Sequence, residues 1–242
     1  MLPLLGLLAL TSAPVDPALI TARLAAAAPL RSARLVRQPP NIPASAWARA
    51  AQGSVITGTD DRSGVKLGWG VGVFDVPIDT LWAALNDELR QGELLGLGHV
   101  ELTAGAPCAD RRHVMMLLPL PVVSDRWWVV ENRYATRLAA ESGNTMRELS
   151  WTEVADPAAE RLSPAARAAV ADAVPVASNH GAWLLISLDA THTLAEYHAR
   201  SDPGGELPAG AAAAFATSTI ASTFEKIHRY AQTTPSSCLG KL

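Results

Sequence analysis

The C-terminal part of the chain, residues 208–232, reads PAGAAAAFATSTIASTFEKIHRYAQ. Apolar residues recur there at helical spacing, namely Ala213, Ala216, Ile220, Phe224, Ile227 and Ala231. This spacing predicts one long amphipathic helix with a single apolar stripe. Pro235 follows soon after and ends the pattern.

Several segments before this helix have the pattern of β-strands. Residues 65–73 alternate, with Val65, Leu67, Trp69, Val71 and Val73 on one face and small residues on the other, so that another element can pack closely there. An amphipathic helix follows Pro77 and is predicted to end near residues 90–92. Further strand-like runs are 98–103, 113–118, 127–138, 145–154, 183–188 and 193–200, and Gly143-Asn144 is a hairpin signal. Successive strands with helices at both ends predict an α+β fold.

Composition excludes several classes of protein. The chain has 242 residues, 49% apolar and 18% charged, which fits one good-sized domain or two small ones and excludes a disordered chain or a coiled coil. The net charge of −3 and the lack of a basic cluster argue against nucleic-acid binding. Two cysteines, Cys108 and Cys238, exclude a disulfide-dense scaffold; they could pair outside the cytosol or be ordinary thiols inside it.

The beginning of the chain, MLPLLGLLALTSA at residues 1–13, has the pattern of a signal peptide. The apolar run is too short for a membrane span, which needs about 20 residues. Export predicts a periplasmic or secreted protein; a mis-assigned start or a short hydrophobic helix is the alternative and predicts a cytoplasmic one. We expect a helical extension and linker at 14–53, the main domain at 54–234 with a helical insertion at about 156–175, and a tail at 235–242.

Several segments resemble START-type lipid-transfer domains of bacterial type. They are PVVSDRWWVV at 121–130, Gly181-Ala182-Trp183, TLAEY at 193–197 and DPGGELP at 202–208. The resemblance covers residues 54–232 and implies a helix-grip fold, in which a curved antiparallel sheet wraps around the C-terminal helix. It also implies an internal cavity for one lipid or other apolar small molecule. We expect transient membrane contact and a monomeric protein.

The predicted ligand contacts depend on which side chains face the helix. Adjacent residues of a strand point to opposite faces, so only one of Trp127 and Trp128 can face inward, and the other lies outside or under the insertion. With Trp127 inward, the predicted contacts are Met115, Leu117, Trp127, Val129, Glu131, Arg133, Trp183, Ala216, Ile220 and Phe224. A buried Glu131 would need a partner such as Arg111 or Arg112. Two alternatives stay open: a solvent-facing Glu131 and Arg133, and a solidly packed core in place of the cavity.

No catalytic set is recognisable in the sequence. HExxH, GxSxG and paired-cysteine motifs are absent. His192 and His198 would lie roughly 20 Å apart along a strand and cannot bind one metal ion. We therefore predict no catalytic residue, no metal and no cofactor. The main hypothesis is non-catalytic binding, and transfer, of a hydrophobic small molecule; a polyketide cyclase-like or other enzyme on the same scaffold is the alternative.

Overall fold

The computed structural model describes residues 12–62, 65–121, 123–205, 209–233 and 235–240, and their side chains except those of 62, 65, 66, 159 and 209–219. Within these residues nine strands form one sheet: β1 (Ile56–Arg62), β2 (Val65–Phe74), β3 (His99–Ala104), β4 (Arg111–Leu118), β5 (Arg126–Tyr134), β6 (Met146–Glu153), β7 (Val174–Pro175), β8 (Ser178–Ser187) and β9 (Thr193–Asp202). The order β1-β2-β9-β8-β6-β5-β4-β3 is antiparallel throughout, and β7 pairs in parallel with β5. The predicted α+β class is confirmed.

Helices cover both faces of this sheet. They are α1 (Pro17–Ala27), α2 (Ala44–Ala50), α3 (Ile78–Leu85), α4 (Glu88–Leu95), α5 (Thr136–Glu141), α6 (Pro164–Ala169) and α7 (Ala209–Thr233), with 3-10 turns at Ala28–Ala33 and Pro157–Ala159. Among the described residues, none of these helices combines the length and apolarity that crossing a bilayer requires.

The C-terminal helix α7 packs on what we call the inner face of the sheet. Glycines of β2 allow it to approach closely: a Cβ atom at Gly70 would lie 2.6 Å from Cγ2 of Ile220, and one at Gly72 would lie 3.2 Å from Cδ1 of Phe224. Phe224 is fully buried and stacks on Phe74 with a centroid distance of 5.5 Å. The small-residue face of β2 thus receives the helix.

The outer face is covered by two other segments. Ile20 of α1 packs with apolar residues of β6, β8 and β9. Residues 34–38, here called the strap, cross the sheet, and Arg34 donates hydrogen bonds to the buried carboxylates of Glu148 (2.6 Å) and Glu196 (3.1 Å). The inserted segment contains α6, whose first turn is capped by Ser163. The N-terminal extension is therefore packed on the sheet.

Two segments that carry the family resemblance meet in space. The buried guanidinium of Arg126 donates hydrogen bonds to the carbonyl oxygens of Pro203 (2.8 Å) and Gly204 (3.2 Å). Gly204 has φ of +65°, a conformation that glycine adopts without strain. The Ser-Asp-Arg segment therefore holds the turn that leads toward α7.

Three local predictions differ from the structure. The helix after Pro77 is broken between α3 and α4, because side chains bind the last carbonyls of α3: Asn86 Nδ2 donates to Trp82 O (2.8 Å) and Gln91 Nε2 to Leu85 O (2.8 Å). The predicted strand 127–138 ends at residue 134, and α5 replaces the expected hairpin before residues 143–144. Strand β1 is not predicted, since its sequence ITGTDDR has no clear apolar alternation.

The chain after α7 is fixed to the rest of the domain. Cys238 forms a disulfide with Cys108. Asp87 accepts hydrogen bonds from the hydroxyls of Tyr230 (2.7 Å) and Ser236 (3.1 Å). These contacts attach the end of α7 and the following residues to the α3–α4 region and to the loop before β4.

Candidate ligand-binding site

An inner pocket of about 190 Å³ lies between the sheet and α7. Its lining from the sheet includes Met116, Trp128, Val130, Asn132, Leu149, Trp151, Trp183 and Tyr197. Helices α4 and α7 complete it with Glu88, Gln91, Leu95, Thr223 and Ile227. The pocket is smaller than the roughly 300–1,000 Å³ of typical small-molecule sites.

Met116 of β4 and Trp128, Val130 and Asn132 of β5 line this pocket, so even-numbered positions face inward, which reverses the predicted orientation. Four predicted contacts project from the outer face instead: Met115, Leu117, Trp127 and Val129. They pack against Leu162 and Ala166 of the inserted segment. The prediction that they lie beneath the C-terminal helix is wrong, because strand side chains alternate and a one-residue error moves the whole set to the other face. Trp128 takes the inner position.

Glu131 and Arg133 also project from the outer face and not into the inner pocket. Glu131 is largely covered there, with its side chain 17% exposed, so only Arg133 is solvent-facing. Glu131 accepts a hydrogen bond from Arg111 Nε at 2.7 Å, and one of its oxygens lies 3.3 Å from His113 Nε2. Partial burial favours the protonated form of Glu131, but these hydrogen bonds outweigh it and lower its pKa. The side chain of Arg133 is 54% exposed.

The remaining predicted ligand contacts, on β8 and α7, differ in where they lie relative to the inner pocket. Trp183 lines the inner pocket. Ile220 and Phe224 face the sheet as expected, but they pack into the space above Gly70 and Gly72 and do not line the pocket. The side chain of Ala216 lies outside the described residues.

One corner of the pocket is polar. Arg112, only 1% exposed, lies behind the lining and binds Glu88 through Nε (2.8 Å) and Nη2. It also donates to Asn86 Oδ1 (2.8 Å) and Ala109 O (2.6 Å), while Asn132 Nδ2 donates to Glu88 at 2.8 Å. Burial raises the pKa of Glu88, and the charge of Arg112 opposes that rise. The corner thus contains a matched ion pair.

An aromatic wall lies opposite. Tyr197 contacts Trp183 at a centroid distance of 4.6 Å and Trp151 at 5.7 Å. The indole N–H of Trp151 is bound to Asn179 Oδ1 at 3.0 Å. Burial raises the pKa of Tyr197 to about 12, so its hydroxyl stays protonated at neutral pH. In the described part of the chain that hydroxyl has no hydrogen-bond partner, which leaves a donor at the pocket.

Sequence reasoning missed Glu88, Arg112, Asn132 and Tyr197. The charged residues of β4 and β5 would have indicated the correct orientation of these strands. Arg111, Glu131 and Arg133 all lie at odd-numbered positions, and charged side chains are best placed in solvent. Placing that set outside would have brought the even positions inside. Within the described ranges, no three His, Cys, Asp or Glu residues are grouped so that they could hold a metal ion.

Comparison with known proteins places the fold. No protein-family model matches the chain, and no curated protein sequence matches it. A STAR-related lipid transfer protein fragment from Xanthomonas axonopodis is similar in structure, with TM-score 0.57, 18% identity and coverage of 74% of this chain and 94% of that one. Human STARD10 is similar with TM-score 0.58 and 14% identity, and the match covers 96% of this chain and 85% of that one. Human StAR-related lipid transfer protein 5 is similar with TM-score 0.58 and 13% identity, and the match covers 89% of this chain and 97% of that one. The chain has the START-like helix-grip fold.

Proposed function

We propose that the inner pocket binds one lipid-like or sterol-like small molecule without catalysis, and that the chain carries this molecule between membranes through brief surface contacts. The lining of the pocket supports this function: it combines aromatic and aliphatic side chains with a small number of polar groups. Apolar walls of this kind supply affinity by removing ligand surface from water, at about 25 cal/mol per Å². A few polar groups then orient the ligand.

The polar corner favours a ligand whose head group is uncharged. Glu88 and Arg112 neutralise each other, so a charged head group would gain no net attraction from them. Asn132 uses its amide N–H on Glu88, and its Oδ1 has no partner among the described residues. The lining thus offers an acceptor at Asn132 and a donor at Tyr197, and a ligand hydroxyl can bind to either one.

The volume of the pocket limits what fits without movement. An apolar cavity of about 150 Å³ accommodates benzene, so about 190 Å³ suits a small ring system or one end of a longer molecule. A complete lipid requires α7 to separate further from the sheet.

Native mass spectrometry of the freshly purified protein, with extraction of any bound molecule, tests the proposal directly. Calorimetry with 1-naphthol then locates the site. Thr223→Trp adds a bulky ring to the pocket lining on α7, whereas Arg229→Trp adds the same ring at an exposed position of the same helix. We expect the first variant to lose binding by about tenfold or more and the second to bind normally. Equal binding by both would contradict the proposal.

We also propose that the chain works in an oxidising compartment, the periplasm or the extracellular space. The disulfide between Cys108 and Cys238 supports this, because such bonds are rare in the reducing cytosol. Trapping the thiols by alkylation in intact cells tests the proposal, which predicts no alkylation of either cysteine. Full alkylation of both would contradict it.

A further inference from the structure

A second pocket lies on the outer face of the sheet. It has a volume of about 410 Å³, compared with about 190 Å³ for the inner pocket. Its base is formed by β5, β6, β8 and β9, and its rim by Leu35 and Val36 of the strap and by Leu67 of β2. The sheet separates it from the inner pocket, so its ligand would be a different one.

Two rows of paired residues form the base of this outer pocket. In one row Ser150 pairs with Ala182 and Ala182 with His198; in the next, Thr152 pairs with His180 and His180 with Arg200. Ala182 carries only a methyl group between two polar neighbours. This short side chain leaves space over the middle of the base.

Cationic side chains predominate in the lining. Arg200 has no ion pair within the part of the chain that the structure describes. Arg133 lies 3.7 Å from the carboxylate of Glu131, which also pairs with Arg111. His180 lies 3.8 Å from Glu153. Asp60 is the acidic residue of the lining, and it accepts a hydrogen bond from the backbone N–H of Asn41 at 2.8 Å.

His198 is the unexplained group at the pocket. The residue is 4% exposed, and its Nδ1 is buried without a hydrogen-bond partner among the described residues. The nearest carboxylate oxygen, on Glu196, is 3.9 Å away, too far for a hydrogen bond. Burial lowers the pKa of His198 to about 3, and the charges of Arg34 and His180 act in the same direction. The ring is therefore neutral and keeps one N–H donor and one acceptor.

We propose that the outer pocket binds the carboxylate of a small organic acid whose apolar part lies against the strap. Arg200 supplies the charge-assisted hydrogen bonds that a carboxylate prefers, and Arg133 provides a second positive charge on the opposite side. The imidazole of His198 and the hydroxyls of Ser150 and Thr152 supply uncharged hydrogen-bond partners. Leu35, Val36 and Leu67 provide the apolar contact.

The test uses the full chain labelled with ¹⁵N-histidine, observed by NMR during titration with phenylacetate. Phenylacetamide, which has the same shape and no charge, is the matched ligand control. Arg200→Gln removes the proposed anchor, and Arg167→Gln removes an exposed arginine of α6 that lies outside the pocket lining. The variant Thr223→Trp alters the inner pocket alone.

We expect phenylacetate to shift the ring signals of His198 and His180 saturably and phenylacetamide to leave them unchanged. The phenylacetate affinity should fall about tenfold in Arg200→Gln, as for loss of one charge-assisted hydrogen bond. It should be unchanged in Arg167→Gln and in Thr223→Trp. Absence of saturable shifts, equal shifts with the amide, or an unchanged affinity in Arg200→Gln would overturn the proposal. Loss of phenylacetate binding in Thr223→Trp would assign it to the inner pocket instead.

Discussion

Replacing Arg112 with methionine removes the cation behind the inner pocket. Arg112→Met leaves Glu88 with the hydrogen bond from Asn132 as its remaining side-chain contact, and it leaves Asn86 Oδ1 and Ala109 O without their donor. Removing one partner of a buried ion pair costs about 3–5 kcal/mol, because the other charge stays buried and uncompensated. Against a total stability of about 5–15 kcal/mol, this loss is large.

The sign of the pH dependence follows from Glu88. Burial already raises the pKa of Glu88 above its ordinary value of 4.5, and in Arg112→Met the opposing charge is gone. The folded state then binds the proton more tightly than the unfolded state. Stability should therefore be lost as pH rises from about 4.5 through the raised folded-state pKa, and the deficit of the variant should be smallest in acid.

Urea unfolding followed by tryptophan fluorescence, repeated between pH 4 and pH 8, measures this effect. The double variant Glu88→Gln with Arg112→Met is the control, because it removes both charges and should recover about 2 kcal/mol or more of the free energy of unfolding. A loss in Arg112→Met below about 0.5 kcal/mol, typical of a surface site, would refute the reasoning. So would a double variant that is less stable than the single one.

Three further changes test other features. Gly70→Ala should cost about 1–3 kcal/mol of unfolding free energy, because its Cβ would overlap Ile220, and Gly72→Ala should cost less; equal costs in urea unfolding would contradict the packing of α7. Cys238→Ser opens a link across 130 residues and should cost up to about 5 kcal/mol in thermal unfolding. Reductant should then have no further effect on the variant, and an effect as large as on the parent would contradict this. Tyr197→Phe should weaken 1-naphthol binding about two- to tenfold in calorimetry and leave naphthalene binding unchanged; equal losses for the two ligands would exclude a role for the hydroxyl.

Local pattern was enough to predict the order of the main strands and the helix α7. Alternation in β2 also predicted that its small-residue face would allow close packing, although it did not identify α7 as the element that packs there. The same rule failed for β5, because WW at 127–128 gives both faces an equally large aromatic residue. The charges at Glu131 and Arg133 carried the missing information, since they lie on the same face as Trp127.

The polar corner could not be derived from local pattern. Glu88 and Arg112 are 24 residues apart, on a helix and a strand, and they meet because α3 and α4 are separate helices. That break depends on side chains that bind the carbonyls of the preceding turn. Single-sequence periodicity registers neither these local capping hydrogen bonds nor the contact between Glu88 and Arg112.

The disulfide between Cys238 and Cys108 attaches the C-terminal end of α7 to the rest of the domain more firmly than the N-terminal end. A ligand larger than the inner pocket enters only if helix and sheet move apart. The disulfide restrains the end near Thr233, which lies five residues before Cys238, and it places no such restraint on the end near Ala209. If the proposed function is correct, we therefore expect a large ligand to enter beside the turn held by Arg126 while the disulfide is intact. Reduction of the disulfide would remove that preference.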